Sequence, residues 1–120
     1  MICMTFNDIL AYSLAKPEAY EDHPFGPWPI CIKVRGKIFA QIYADKLTLK
    51  CTAFAGQMFR DAYPGVVVRG YHCPPVQQPY WNTINLEQFP QEELPMMIDH
   101  AYETVVASLP KKVQKLILED

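Results

Sequence analysis

From Ile30 to Cys51 the chain alternates. Ile30, Ile32 and Val34 interleave with Cys31, Lys33 and Arg35, a period of two that suits a strand with one inward face. Arg35-Gly36 reads as a turn. Lys37 to Tyr43 then reads as a second strand, with Ile38, Ala40 and Ile42 on one side and Phe39, Gln41 and Tyr43 on the other. Ala44-Asp45-Lys46 turns the chain again, and Leu47, Leu49 and Cys51 alternate with Thr48 and Lys50. Connections this short make the three strands antiparallel neighbours, since a parallel pair needs a crossover of about a dozen residues or more. Whatever else the chain does must be built around this meander.

The flanking segments read as helices and shorter strands. Thr5-Phe6-Asn7-Asp8 is a variant of the capping box, and Phe6, Ile9, Leu10 and Leu14 follow at helical spacing. Pro17 ends that helix. Residues 21–29 read as loop, with three prolines and a glycine in His23-Pro24-Phe25-Gly26-Pro27-Trp28-Pro29. Thr52 is placed to cap a helix over residues 53–63, with Phe54, Met58, Phe59 and Ala62 as its apolar stripe and Pro64-Gly65 as its stop. Val66-Val67-Val68 is a fourth strand and Tyr80 to Leu86 a fifth, joined by the proline-rich loop Gly70 to Pro79. The clearest helix carries Leu94, Met97, Ile98, Ala101, Tyr102, Val105, Val106 and Leu109 at three- and four-residue steps. Beyond Pro110, Val113, Leu116 and Ile117 suggest a short terminal helix with Lys111, Lys112 and Lys115 outside.

The expected fold is α+β, a single domain of α-β(3)-α-β(2)-α order. A mostly antiparallel five-stranded sheet carries helices on one face, and a short C-terminal helix follows. The other sheet face is left partly open.

A chain of 120 residues, half of them hydrophobic, fits one domain with its own core. No apolar run reaches the roughly 20 residues of a membrane span. The start, Met1 to Asp8, lacks the basic and apolar regions of a signal peptide. A cytoplasmic location is therefore expected, with no membrane association. The cysteines Cys3, Cys31, Cys51 and Cys73 and the histidines His23, His72 and His100 are dispersed. Neither a metal site nor another cofactor is expected.

The net charge of −2 hides a segregation. Residues 33–69 hold Lys33, Arg35, Lys37, Lys46, Lys50, Arg60 and Arg69 against Asp45 and Asp61. Acids prevail on both sides of that segment. A nearly neutral protein can thus present a positive surface.

Five separate motifs carry a family resemblance. They are Lys33-Val34-Arg35-Gly36-Lys37-Ile38-Phe39-Ala40, Leu47-Thr48-Leu49-Lys50-Cys51, Tyr63-Pro64-Gly65-Val66-Val67, Gly70-Tyr71-His72 with Trp81-Asn82-Thr83, and Glu93-Leu94 leading to Ile98-Asp99-His100-Ala101-Tyr102-Glu103. In this order they resemble the MmcQ/YjbR family over residues 5–112, with 113–120 as a helical extension beyond the family-like domain 1–112. The resemblance implies a secretion-chaperone-like or CyaY-like (frataxin-like) α+β fold. It also implies a DNA-binding, double-wing role. It implies no catalytic residues. The chain departs from the family where Pro74-Pro75-Val76-Gln77-Gln78-Pro79 replaces a loop that usually carries asparagine and lysine, where Tyr80 replaces a histidine, and where Ala101 replaces a serine.

No catalytic constellation is evident. His72 beside Cys73 is the only adjacent pair with nucleophile and base chemistry, and chain neighbours seldom point at each other. Asp99-His100 and Glu92-Glu93 fit a helix surface and a helix start. The resulting expectation is a non-enzymatic binding domain whose partner is DNA or another nucleic acid. Lys33, Arg35, Lys37, Lys50 and Arg69 would contact phosphates, and His72 and Trp81 would line the adjacent surface. Trp28 and Trp81 equally suit core packing. The alternative is a protein-interaction or chaperone-like adaptor, acting as a monomer or a homodimer.

Overall fold

The computed structural model describes residues 4–118. Among them six strands form one antiparallel sheet: β1 (Tyr20–Asp22), β2 (Ile30–Val34), β3 (Lys37–Ile42), β4 (Lys46–Lys50), β5 (Val67–Arg69) and β6 (Trp81–Asn85). Their spatial order is β1-β2-β3-β4-β6-β5. The helices are α1 (Phe6–Leu14), α2 (Ala53–Ala62), α3 (Leu94–Ala107) and α4 (Lys111–Leu118). The expected class stands, with one strand more than the sequence suggested. Cys3 lies outside the described residues.

The extra strand is β1, two of whose three residues, Glu21 and Asp22, belong to the stretch that reads as loop. Tyr20-Glu21-Asp22 has no apolar alternation to mark it. It is recruited by pairing, with Tyr20 opposite Lys33 and Asp22 opposite Cys31, and by an Asp22–Lys33 ion pair at 2.6 Å.

The β2–β3 hairpin turns on Arg35 (φ +49°) and Gly36 (φ +81°). Two positive φ values in a two-residue loop make a type I′ turn, whose twist matches that of the strands. Val34 and Lys37 close it as partners. The register then slips by one residue, since Lys33 opposes Ile38 while Ile32 opposes Ala40. Phe39 is the extra residue of a bulge. The slip corrects the simple alternation, which set Phe39 with Gln41. Phe39 instead faces the helices, its ring edge-on to Tyr102 of α3 with centroids 5.4 Å apart. Ile38 moves to the opposite face beside Lys33.

The helical layer sits on the face of Ile32, Val34, Ala40, Ile42, Leu47, Leu49 and Ile84, all buried. The apolar stripe read on α3 is buried as expected, from Leu94 to Leu109. Tyr12 and Lys16, at and just beyond the end of α1, both hold Asp99 of α3, and Tyr102 donates to the Pro17 carbonyl at 2.7 Å. The capping box at Thr5 is complete, with both reciprocal bonds to Asp8 present.

The stripe read on α2 is corrected. Phe54 and Met58 are exposed, whereas Gly56 is buried and Phe59 packs on the core. A Cβ on Gly56 would lie 2.6 Å from the Cys51 sulfur, so the glycine lets the helix backbone sit against the chain there. On α4, Ile117 joins the core while Leu116 stays exposed.

Candidate nucleic-acid interface

The face opposite the helices carries Cys31, Lys33 and Ile38, then Gln41, Thr48 and Thr83, then Lys46 and Asn85. This follows from the register partners, whose side chains share a face. A polar stripe crosses its centre, where the Thr48 and Thr83 hydroxyls bond at 2.9 Å.

At the hairpin end of the sheet a groove of about 440 Å³ opens between β3, β4, β6 and the end of α3. Gly36, Lys37, Ile38, Lys50, Trp81, Val105 and Ser108 line it. Lys50 opposes Trp81 across β4 and β6, and its ammonium lies 5.1 Å from the centre of the Trp81 ring and 5.4 Å from that of Tyr80. Cation–π attraction holds the lysine there. Lys37 donates to the Ser108 hydroxyl at 3.2 Å. Burial lowers the pKa of Lys50, and the like charge of Lys37 acts in the same sense. Two cations thus converge on one aromatic wall, and no lining residue is a carboxylate.

The other residues expected at the interface go elsewhere. Lys33 is committed to Asp22. The hydrogen bond between them raises the Lys33 pKa and lowers that of Asp22. Arg35 makes a two-pronged contact with Glu18, at 2.8 and 3.2 Å. Arg69 ends the edge strand β5 opposite Asn82. Asn82 points to the helical side, where it donates to the Gly56 carbonyl at 3.2 Å and accepts from Arg60 at 2.6 Å. Of the seven expected residues, the groove therefore gathers Lys37, Lys50 and Trp81. The sequence reading missed Ile38, because the bulge is not visible in an alternating pattern. It also missed Ser108, which lies far away in sequence.

His72 sits nearer the middle of the sheet. The loop from Gly70 to Pro79 folds back over the open face, which needs a glycine at its root. A Cβ on Gly70 would lie 2.9 Å from the Cβ of Trp81. The imidazole Nε2 and the Gln41 amide oxygen lie 3.1 Å apart, a pair that bonds in the tautomer whose Nε2 carries the proton. The Cys73 sulfur lies 3.6 Å from the same nitrogen. Burial lowers the His72 pKa and raises that of Cys73.

His100 has a structural task. Its Nε2 accepts from the Thr52 backbone N–H at 3.4 Å, and its ring packs edge-on to Phe59. Burial lowers its pKa. Among the described residues, no three of His, Cys, Asp and Glu converge to hold a metal ion, and no helix is long and apolar enough to cross a membrane.

Solved structures share this architecture. The Deinococcus radiodurans protein DR2400, with a DUF419 domain, superposes with a TM-score of 0.83 at 23% identity, over 95% of this chain and 88% of its own. A protein from Pseudomonas syringae gives 0.63 at 15% identity, over 82% of this chain and 96% of its own. In sequence, YjbR of Escherichia coli strain K12 is 25% identical over 97% of this chain and 99% of its own length. The YjbR family model matches residues 14–104, a span that runs from the end of α1 into α3 and includes the whole sheet, and on that match the chain belongs to the YjbR family.

Proposed function

We propose that this protein is a non-enzymatic, cytoplasmic binding domain that holds single-stranded nucleic acid at the hairpin end of its sheet. The two hairpin-bearing ends of the sheet serve as the wings of a double-wing arrangement. Lys37 and Lys50 take successive phosphates, and the Trp81 ring offers a stacking surface. The observation that carries this reading is the meeting of two cations and a tryptophan in one groove free of carboxylates. It narrows the interface from the whole basic segment to three residues, since Lys33 and Arg35 already have carboxylate partners. No cofactor enters the proposal.

Neutralising about two phosphates of a single strand gives a salt slope near −1.4. A fourfold rise in salt should then weaken binding by about sevenfold. Fluorescence anisotropy of a labelled oligonucleotide at low and moderate salt measures this. The Lys37→Glu/Lys50→Glu variant should lose binding while keeping its far-ultraviolet spectrum, with only a modest drop in unfolding midpoint from the lost contacts of Lys50 with Tyr80 and Trp81. Full binding by that variant would remove the groove from the account.

A second reading, a protein-interaction adaptor, has its own observation. Phe54 and Met58 are 78% and 56% exposed and sit four residues apart on one face of α2. Sedimentation of the native protein against a Phe54→Ser/Met58→Ser variant tests it. Identical monomeric behaviour would disfavour self-association through α2.

A further inference from the structure

A second cavity, about 400 Å³ in volume, lies on the open face of the sheet, where two loops meet. Phe25 and Pro29 come from the loop after β1. His72, Cys73 and Pro74 come from the loop after β5. Gln41 of β3 and Tyr43, just beyond its end, complete the lining. Its size is at the small end of ligand pockets, which run from about 300 to 1,000 Å³.

We propose that this pocket receives one unstacked nucleobase, an inference that rests on the strand-binding reading above. Three features specify the ligand. The first is shape: two prolines and the Phe25 ring, 64% exposed, give apolar walls to which a flat ring can apply its face. The second is hydrogen bonding. Gln41 is only 7% exposed. Its carbonyl oxygen is taken by His72, and among the described residues its amide NH₂ has no protein partner. Because no buried side-chain polar atom lacks a partner among the described residues, this NH₂ is open to solvent, and a preoriented amide in that position offers donors to the acceptors on a base edge. The third is charge. Burial, and then Lys46, hold His72 towards its neutral form. Burial likewise holds Cys73 as a thiol. The lining residues supply no counter-ion, so a neutral ring system is favoured over an ion.

Position links the pocket to the groove. Gln41 opposes Thr48, and Lys50 lies two residues further along β4. The offset is one strand spacing and two residue rises, about 8 Å between backbones. A strand with a phosphate on Lys50 can therefore place a neighbouring base over Gln41.

Cys73 reports occupancy directly. It is half-buried, whereas Cys31 and Cys51 are buried. In a Cys3→Ser protein, native-state alkylation by iodoacetamide, followed by mass spectrometry, should mark Cys73. The probes are the four deoxynucleosides at millimolar concentration, an oligodeoxynucleotide, and the same oligonucleotide made wholly of abasic sites. At least one nucleoside should slow alkylation fivefold or more. It should do so equally in the Lys37→Glu/Lys50→Glu variant, which tests the pocket apart from the groove. The normal oligonucleotide should protect and the abasic one should not. A Cys73→Phe variant, which fills the pocket, should weaken nucleoside binding at least tenfold by calorimetry while the far-ultraviolet spectrum is unchanged. Oligonucleotide binding without any protection of Cys73 would overturn the pocket and leave the groove standing. Nucleoside protection without oligonucleotide binding would keep the pocket and remove the strand. Neither protection nor binding would overturn both.

Discussion

Gly70 decides whether the loop after β5 can lie back on the sheet. A methyl there meets the Cβ of Trp81 at 2.9 Å and the Cys73 sulfur at 3.4 Å. The backbone Cβ of a strand residue cannot swing aside, so Gly70→Ala must move the loop. Overpacking of this kind typically costs about 1–3 kcal/mol. A urea titration should show the loss, and the His72 imidazole resonances should move with the loop. An unchanged midpoint would mean that the loop has slack which the geometry does not suggest.

Two histidines, His72 and the half-buried His100, set a pH dependence. Burial lowers the pKa of both His72 and His100 in the folded chain. The unfolded chain therefore binds more protons as pH falls through about 6.5. Stability from these groups is complete above that pH, and is lost below it as pH falls towards their folded-state values. The Asp22 carboxyl is held below its ordinary range by Lys33, so it titrates outside this window. The urea midpoint is expected to drop between pH 7.5 and 5.5. A His72→Gln/His100→Gln protein should lose much of that slope. The same drop in the double variant would assign the protons to other groups.

At the scale of elements, the bulge in β3 separates what could be read from what could not. Alternation alone predicts that Ile38 is core and Phe39 is not. The bulge reverses both, since Phe39 is fully buried and Ile38 partly exposed. Phe39→Ala should cost about 3–5 kcal/mol, and Ile38→Ala much less. The reverse ranking in chemical denaturation would restore the unbulged register. Nothing in Ile38-Phe39-Ala40 announces a bulge, because its cause is the fit of Phe39 against Tyr102, on a helix far along the chain. α3 was legible throughout because a long stripe at helical spacing has few other ways to be buried. α2 was half legible. Its cap at Thr52 was plain, but its rotation depends on Gly56 seating against Cys51, a contact outside the helix. β1 was invisible because its pairing partner, not its composition, makes it a strand.

At the scale of the whole molecule, charge segregation in the sequence became something smaller in space. Seven basic residues cluster along the chain between positions 33 and 69. Folding brings acids from the preceding segment against two of them, Asp22 on Lys33 and Glu18 on Arg35. A charge count along a chain cannot foresee such cross-strand and cross-loop pairing. Of the five others, Lys37 and Lys50 meet around Trp81, and the central claim is that this groove grips a nucleic-acid strand. Trp28 and Trp81 are the only tryptophans, so a Trp28→Phe protein excited at the red edge, where tyrosine does not absorb, reports one tryptophan, inside the groove. Titrating it with an unlabelled oligodeoxynucleotide at low salt should quench Trp81 emission saturably, and added salt should restore the emission. An unchanged spectrum across the titration, or equal quenching in a Lys37→Glu/Lys50→Glu background, would contradict the account.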